Sequence, residues 1–148
     1  MPTQPSADGV FTASRLFPFT PTQIFAAFAD ADRLATWWGP DGFRNTFEVF
    51  EFKPQGRWKF VMHGPDGTDY ANDCTFLEAS PQRVVIRHVT APHFTLTITL
   101  TETDGLTRLD WRQAFDDPRV AAAVAPIVGP ANEQNLNRLQ AVLQAAAG

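Results

Sequence analysis

Cysteine, tyrosine and long hydrophobic runs are scarce or absent in this sequence. Cys74 is its single cysteine, so no intramolecular disulfide can form and a reducing compartment is expected. No apolar stretch approaches the roughly 18 residues that a membrane span needs. No basic segment followed by an apolar run opens the chain, so we expect no signal peptide and predict a cytoplasmic protein.

Positive charge is also in short supply. Twelve Lys and Arg residues face sixteen Asp and Glu residues, which gives a formal net charge of -4. Nucleic-acid binding needs a basic face, and anionic membrane surfaces attract basic segments, so neither is an expected partner.

Phenylalanine, in contrast, is abundant. The 148 residues include 13 Phe and 4 Trp, and 44% of the sequence is apolar. This length and composition fit one domain with a sizeable core. We predict a loose tail over residues 1–9, which is rich in Pro, Ser and Gly, and a single domain over residues 10–148.

Two short helices are predicted after a first strand. Thr20, Pro21 and Gln23 form a capping-box pattern, with Thr at the N-cap, Pro at the first helical position and Gln three residues after the cap. A second short helix is expected from Asp30 to Trp37, where a Gly-Pro pair stops it.

Strand patterns dominate the rest of the chain. The clearest runs from His93 to Glu102, where apolar residues alternate with four threonines, as in an antiparallel strand with one buried face. The predicted strands span residues 10–19, 46–53, 57–63, 68–78, 83–89, 93–102 and 106–115. A short helix over 119–128, a break at Gly129-Pro130 and a last helix over 131–146 complete the order, which indicates an α+β domain.

The segment from Trp37 to Phe43 places two adjacent tryptophans before a Gly-Pro-Asp-Gly turn, and the same tetrapeptide returns at 64–67. One interpretation is an aromatic wall or lid at the mouth of a pocket. The other, which we favour, is a packing wedge between the short helices and the sheet.

Several of these segments resemble a known family. They are Trp37-Trp38-Gly39-Pro40, Gly56-Arg57-Trp58, residues 62–67, residues 80–83 and residues 132–139. Over roughly residues 10–143 the chain is similar to the helix-grip superfamily of START domains and birch-pollen-allergen proteins (SRPBCC). Within it, the chain resembles the family named for homology to the activator of heat-shock-protein-90 ATPase.

The resemblance implies a helix-grip fold, in which a curved antiparallel sheet of about seven strands wraps around a long C-terminal helix. Many relatives carry Gly-Trp near the start of that helix, where this chain has Ala131-Asn132. A cavity between sheet and helix is expected, and it would hold a small hydrophobic or aromatic molecule. The predicted ligand-binding residues are Trp38, Trp58, Phe60, Met62, Tyr70, Asn72, Phe76, Leu96, Ile98, Trp111, Gln113, Asn135 and Leu139.

Three functional hypotheses remain open. The first is a binder of a small apolar or aromatic molecule without catalysis. The second is an enzyme of the cyclase, dehydratase or hydrolase type that uses Tyr70, His88 or Asn135 in the same cavity. The third is a chaperone-interacting module, which we do not expect because a lone domain lacks the second domain of the namesake protein.

No metal or other cofactor is predicted. The spacings of His63, His88 and His93 match no helical ligand pair. A homodimer is compatible with the resemblance, but the sequence identifies no interface for it.

Overall fold

A computed structural model describes residues 5–147 of the chain. Its elements follow one another as β1 (Val10–Phe17), α1 (Pro21–Ala29), α2 (Ala31–Trp37), β2 (Arg44–Phe50), β3 (Arg57–His63), β4 (Asp69–Ser80), β5 (Arg83–His88), β6 (Phe94–Thr103), β7 (Leu106–Phe115) and α3 (Pro118–Ala147).

The strands form one antiparallel sheet in the order β1-β7-β6-β5-β4-β3-β2. Consecutive strands pair as neighbours from β2 to β7, and β1 joins the sheet beside β7. The helices cover one face, so the main core lies between sheet and helices. This arrangement confirms the predicted α+β helix-grip fold, with strand ends that move by a few residues from the predicted ones.

Local sequence signals set the two short helices. The Thr20 hydroxyl accepts a hydrogen bond from the Gln23 amide at 3.1 Å, and the Gln23 side chain accepts one from the Thr20 amide at 2.8 Å. This reciprocal pair is the predicted capping box. Asp30 caps α2 by accepting from the Asp32 amide at 3.0 Å.

The predicted break at Gly129-Pro130 is wrong. α3 is one continuous 30-residue helix that contains Pro126 and Pro130. Each proline removes one backbone hydrogen bond and costs about 3 kcal/mol in a helix interior. Packing on both sides of the prolines offsets this cost: the first turns pack Ala121 and Ala125 against Phe11 and Phe115, and the later turns bury leucines in the main core.

The start of the described chain is attached to the domain. The Gly9 amide donates to the Ser6 carbonyl at 2.9 Å, and Gly9 is buried next to Pro118. Residues 6–9 therefore form a turn on the domain, and residues 1–4 of the predicted tail lie outside the described residues. Within residues 5–147, no helix is both long enough and apolar enough to cross a membrane.

Candidate functional site: a cavity between the sheet and the last helix

A cavity of about 420 Å³ lies between the concave face of the sheet and α3. Small-molecule sites in proteins commonly measure roughly 300–1,000 Å³. Strands β3 to β7 form its floor, the loop after α2 forms one rim, and the middle of α3 forms the opposite wall. Half-exposed Tyr70 (47%) and exposed Ile127 (73%) mark its mouth.

Most of the residues predicted to bind a ligand lie on this wall. They are Trp38, Phe60, Met62, Tyr70, Asn72, Leu96, Trp111, Gln113 and Asn135. Within each strand they follow the period of two, as in Phe60 and Met62 or Trp111 and Gln113. The alternation of the pleat therefore brings them together on one face of the sheet.

Four predicted residues lie away from the cavity, three on that face of the sheet and Leu139 on α3. Trp58, Phe76, Ile98 and Leu139 are fully buried in the packed core and do not line the cavity. Trp58 and Phe76 stack at 5.4 Å within the aromatic cluster that also includes Phe50 and Phe52. Residues of α1 and α2 fill this half of the concave face, so only the other half remains open.

The wall also contains residues outside the predicted ligand-binding set, from the rim loop, the sheet and α3, and those on α3 are Ile127, Val128, Ala131 and Asn132. Ile127, Ala131 and Asn135 are spaced by four residues, as are Val128 and Asn132, so they share one side of the helix. The expected break at Gly129-Pro130 concealed this spacing. On the sheet, Cys74, Ile86 and Phe94 line the cavity but were not among the predicted ligand-binding residues. Cys74 pairs across strands with His88, and Ile86 lies two residues before His88.

The two adjacent tryptophans have different positions. Trp37 is fully buried, donates its indole N–H to the Ala27 carbonyl at 3.1 Å and packs edge-on against Phe28 at 4.9 Å. Trp38 lies on the cavity wall, with its ring centroid 6.0 Å from that of Trp111. Trp37 thus occupies the place expected of a packing wedge, whereas Trp38 occupies the place expected of an aromatic wall.

Arg138 fastens the rim loop to α3. Its two terminal nitrogens donate to five backbone carbonyls at 2.7–3.3 Å, namely those of Thr36, Trp38, Gly39, Pro40 and Phe43. Burial lowers the pKa of Arg138, but an arginine remains charged at any physiological pH. The loop thereby holds Trp38, Gly39, Pro40 and Phe43 against the cavity.

The backbone conformation favours glycine at position 39 of this loop. Its φ of +97° is in the region that side chains rarely adopt, whereas the 2.6 Å approach of an added Cβ atom to Met62 Cε could be relieved by movement of the flexible methionine. The two Gly-Pro-Asp-Gly segments also meet at this rim. A Cβ on Gly42 would lie 3.2 Å from the ring of Pro65, so the backbones of the two turns approach closely.

His88 is the central polar residue of the floor. Its Nδ1 lies 2.8 Å from the Pro92 carbonyl, which can only accept, so Nδ1 carries a proton. Its Nε2 lies 2.7 Å from Asn72 Oδ1, and Asn72 Nδ2 donates to the Tyr70 carbonyl at 2.9 Å.

Two influences act in opposite directions on the pKa of His88. Acceptors at both ring nitrogens favour the imidazolium, whereas burial, the largest influence, lowers the pKa of His88. Burial has the larger effect, and a neutral ring can still accept a hydrogen bond at Nε2 from the Thr90 hydroxyl, whose oxygen lies 3.4 Å away. The ring also stacks on Phe94 at 4.4 Å, which fixes its plane.

The other reactive side chains on the wall are poorly placed for catalysis. Burial raises the pKa of the Cys74 thiol to about 12, so it stays protonated and is a poor nucleophile. Tyr70 packs beside Phe43 at the mouth, and Asn135 donates to the Trp37 carbonyl at 2.9 Å. Tyr70, His88 and Asn135, the three predicted catalytic candidates, make no side-chain hydrogen bonds to one another among residues 5–147.

A second depression of about 530 Å³ lies outside the rim, between α2, β2 and Arg138. Its main polar groups are already engaged, since His63 contacts Thr46 at 2.7 Å and Asp69 at 2.8 Å and Arg138 bonds the loop carbonyls. The interior cavity is therefore the stronger candidate. Among the described residues, no three His, Cys, Asp or Glu side chains converge to hold a metal ion.

Solved structures of bacterial proteins share this fold over almost their whole length. A protein from Arthrobacter aurescens has a TM-score of 0.87 at 21% identity, covering 97% of this chain and 91% of its own. Protein Ms6760 from Mycobacterium smegmatis has a TM-score of 0.83 at 24% identity, with coverages of 99% and 98%. A protein from Rhodobacter sphaeroides has a TM-score of 0.83 at 25% identity, with coverages of 98% and 97%.

No curated protein matches the chain significantly. The sequence model of one family, Activator of Hsp90 ATPase homolog 1-like protein, matches residues 18–144. That span covers most of the sheet, both short helices and nearly all of α3. The chain therefore belongs to the Activator of Hsp90 ATPase homolog 1-like family.

Proposed function

We propose that this protein binds a small hydrophobic or aromatic molecule in the cavity between the sheet and α3. The supporting observation is a space of about 420 Å³ whose wall is mainly aromatic and aliphatic. Protein interiors are otherwise packed to a density that leaves few voids larger than a water molecule. An apolar space of this size fits a guest better than it fits solvent.

Filling the cavity tests this proposal. Ala131 lies on the α3 wall of the cavity, whereas Ala141 lies further along the same helix and is exposed to solvent. Ala131→Trp places an indole in the space that the guest would occupy, and Ala141→Trp makes the same substitution on the outer surface. The probe is N-phenyl-1-naphthylamine, a neutral fluorophore whose emission rises in apolar surroundings.

We expect the wild-type protein and Ala141→Trp to bind the probe with the same Kd within twofold. Ala131→Trp should weaken binding at least tenfold while circular dichroism shows an unchanged fold. Unimpaired probe binding by folded Ala131→Trp would contradict the proposal. Native mass spectrometry of the purified protein would identify a natural guest that survives purification.

An enzymatic role in the same cavity is the second candidate, and the His88–Asn72 pair is the observation that favours it. Histidine is the side chain that most often acts as a general acid or base, and His88 is the imidazole among the described wall residues. Turnover of a bound molecule that His88→Gln abolishes, with binding retained, would establish the enzyme. Binding without turnover would support the non-catalytic binding function instead.

A further inference from the structure

Three buried side-chain amides lie on one side of the cavity. Gln113 on β7 and Asn132 and Asn135 on α3 are 7%, 8% and 5% exposed, and all three line the space. Buried amides normally find hydrogen-bond partners for most of their polar atoms, since an unpaired buried group destabilises the fold.

The protein satisfies only part of this hydrogen-bonding capacity. Asn132 Nδ2 donates to Gln113 Oε1 at 3.0 Å, and Asn135 Nδ2 donates to the Trp37 carbonyl at 2.9 Å. Gln113 Nε2, Asn132 Oδ1 and Asn135 Oδ1 have no hydrogen-bond partner within residues 5–147. None of the three is a fully enclosed unpaired atom, so each borders accessible space. These atoms are available to a molecule in the cavity.

The donors and acceptors that remain can be assigned. The Trp37 carbonyl can only accept, so Asn135 must present Nδ2 to it and leave its oxygen free. In the Gln113–Asn132 pair, rotating both amides exchanges which residue donates, but one donor and one acceptor always remain unpaired. The cavity therefore offers at least one donor and two acceptors on this side.

The side chains of the wall also limit the charge that a ligand can carry. Among the described residues that line the cavity, there is no Asp, Glu, Lys or Arg. An ionised ligand buried here would have no fixed counter-charge, and an unpaired buried charge is strongly unfavourable.

We infer that the ligand is an uncharged, mainly apolar molecule whose polar end carries both a hydrogen-bond donor and an acceptor, such as a carboxamide or a lactam. Gln113, Asn132 and Asn135 recognise that end, and the aromatic wall holds the remainder. This inference rests on the proposed binding function and specifies the ligand class.

Three naphthalene probes of similar size test it: 2-naphthamide, 2-isopropylnaphthalene and 2-naphthoate, measured by equilibrium dialysis at neutral pH. The variant is Gln113→Leu/Asn132→Leu, which removes both members of the pair and so leaves neither amide without its partner. The control, Asn137→Leu/Gln144→Leu, removes two exposed amides from the outer surface of α3.

We expect the cavity variant to weaken 2-naphthamide binding roughly tenfold, as the loss of one or two hydrogen bonds implies. Binding of 2-isopropylnaphthalene should be unchanged or tighter, and the control should leave both Kd values within twofold. The wild type should bind 2-naphthoate more weakly than 2-naphthamide. If the double variant does not fold, Gln113→Met/Asn132→Ala removes the same pair with smaller changes in shape and provides the same comparison between the two neutral probes.

The outcomes separate this inference from the proposed function. If the wild type binds both neutral probes and the cavity variant leaves 2-naphthamide affinity within twofold, amide recognition is overturned and the binding function stands. Tighter binding of 2-naphthoate than of 2-naphthamide would overturn the uncharged class. If the wild type binds neither these probes nor N-phenyl-1-naphthylamine, the binding function itself fails.

Discussion

Arg138 offers the sharpest test of how this fold holds its cavity rim. Arg138→Met keeps the aliphatic stem of the side chain and removes the guanidinium, so packing along the stem is largely retained. What disappears is the set of hydrogen bonds to the five carbonyls between Thr36 and Phe43. Asn45 still donates to the Trp38 carbonyl at 2.9 Å, but within residues 5–147 no second side chain donates to the other four carbonyls. Water can reach part of the site.

The expected magnitude follows from the two shortest contacts. Nη2 lies 2.7 Å from the Thr36 carbonyl and Nη1 lies 2.8 Å from the Pro40 carbonyl. A hydrogen bond to a charged group contributes about 1.5 kcal/mol or more, and in the variant water can replace part of the three longer contacts. We therefore expect Arg138→Met to lower the free energy of unfolding by about 3 kcal/mol.

Urea unfolding followed by tryptophan fluorescence measures this change. Arg119→Met is the matched control, because Arg119 lies on the same helix with a side chain that is 91% exposed, and its loss should change stability by less than about 0.5 kcal/mol. Arg138→Lys should fall between wild type and Arg138→Met, since an ammonium cannot reproduce the planar fork. A loss below about 1 kcal/mol in Arg138→Met would refute the reasoning.

Three further predictions concern the cavity and its surroundings. Trp37→Leu should destabilise the protein by about 3 kcal/mol in urea unfolding, whereas Trp38→Leu should cost less stability but weaken binding of N-phenyl-1-naphthylamine; the reverse ranking would contradict their placement. Because burial lowers the pKa of His88, the unfolded state takes up its proton first, so stability should fall as pH drops below about 6.5, by at most about 1.4 kcal/mol per pH unit. The nearby Arg87 and His93 also disfavour the charged His88 ring and so lower its pKa further. His88→Gln should flatten the pH dependence of stability, and an unchanged profile would count against a neutral buried His88. Cys74 should resist iodoacetamide in the native state and react after unfolding in urea, as mass spectrometry can measure; rapid native labelling would contradict its burial and its pKa of about 12.

Local patterns predicted local structure well. The Thr20–Gln23 capping box and the threonine alternation of β6 each depend on neighbours within a few residues, so the sequence shows them directly. The family resemblance added the topology and the expectation of a cavity. The predicted helix break at Gly129-Pro130 is wrong, because proline's local tendency to end a helix is outweighed by tertiary packing. Ala125, before the break, packs in one buried cluster, and Leu136, after it, packs in the other.

The sequence by itself determined which face of each strand is apolar, because successive side chains of a pleated strand point to opposite sides. It could not determine how far along that face the helices reach. Ile98 and Leu96 share a strand and a face, but Ile98 is in the filled half and Leu96 is on the cavity wall.

Only the tertiary structure decided that boundary, and with it the pairing of Gln113 with Asn132, which are 19 residues apart in sequence. The physical reason is that a cavity is a property of space left between elements. It depends on where α1, α2 and α3 come to rest on the sheet, and long-range packing sets those positions.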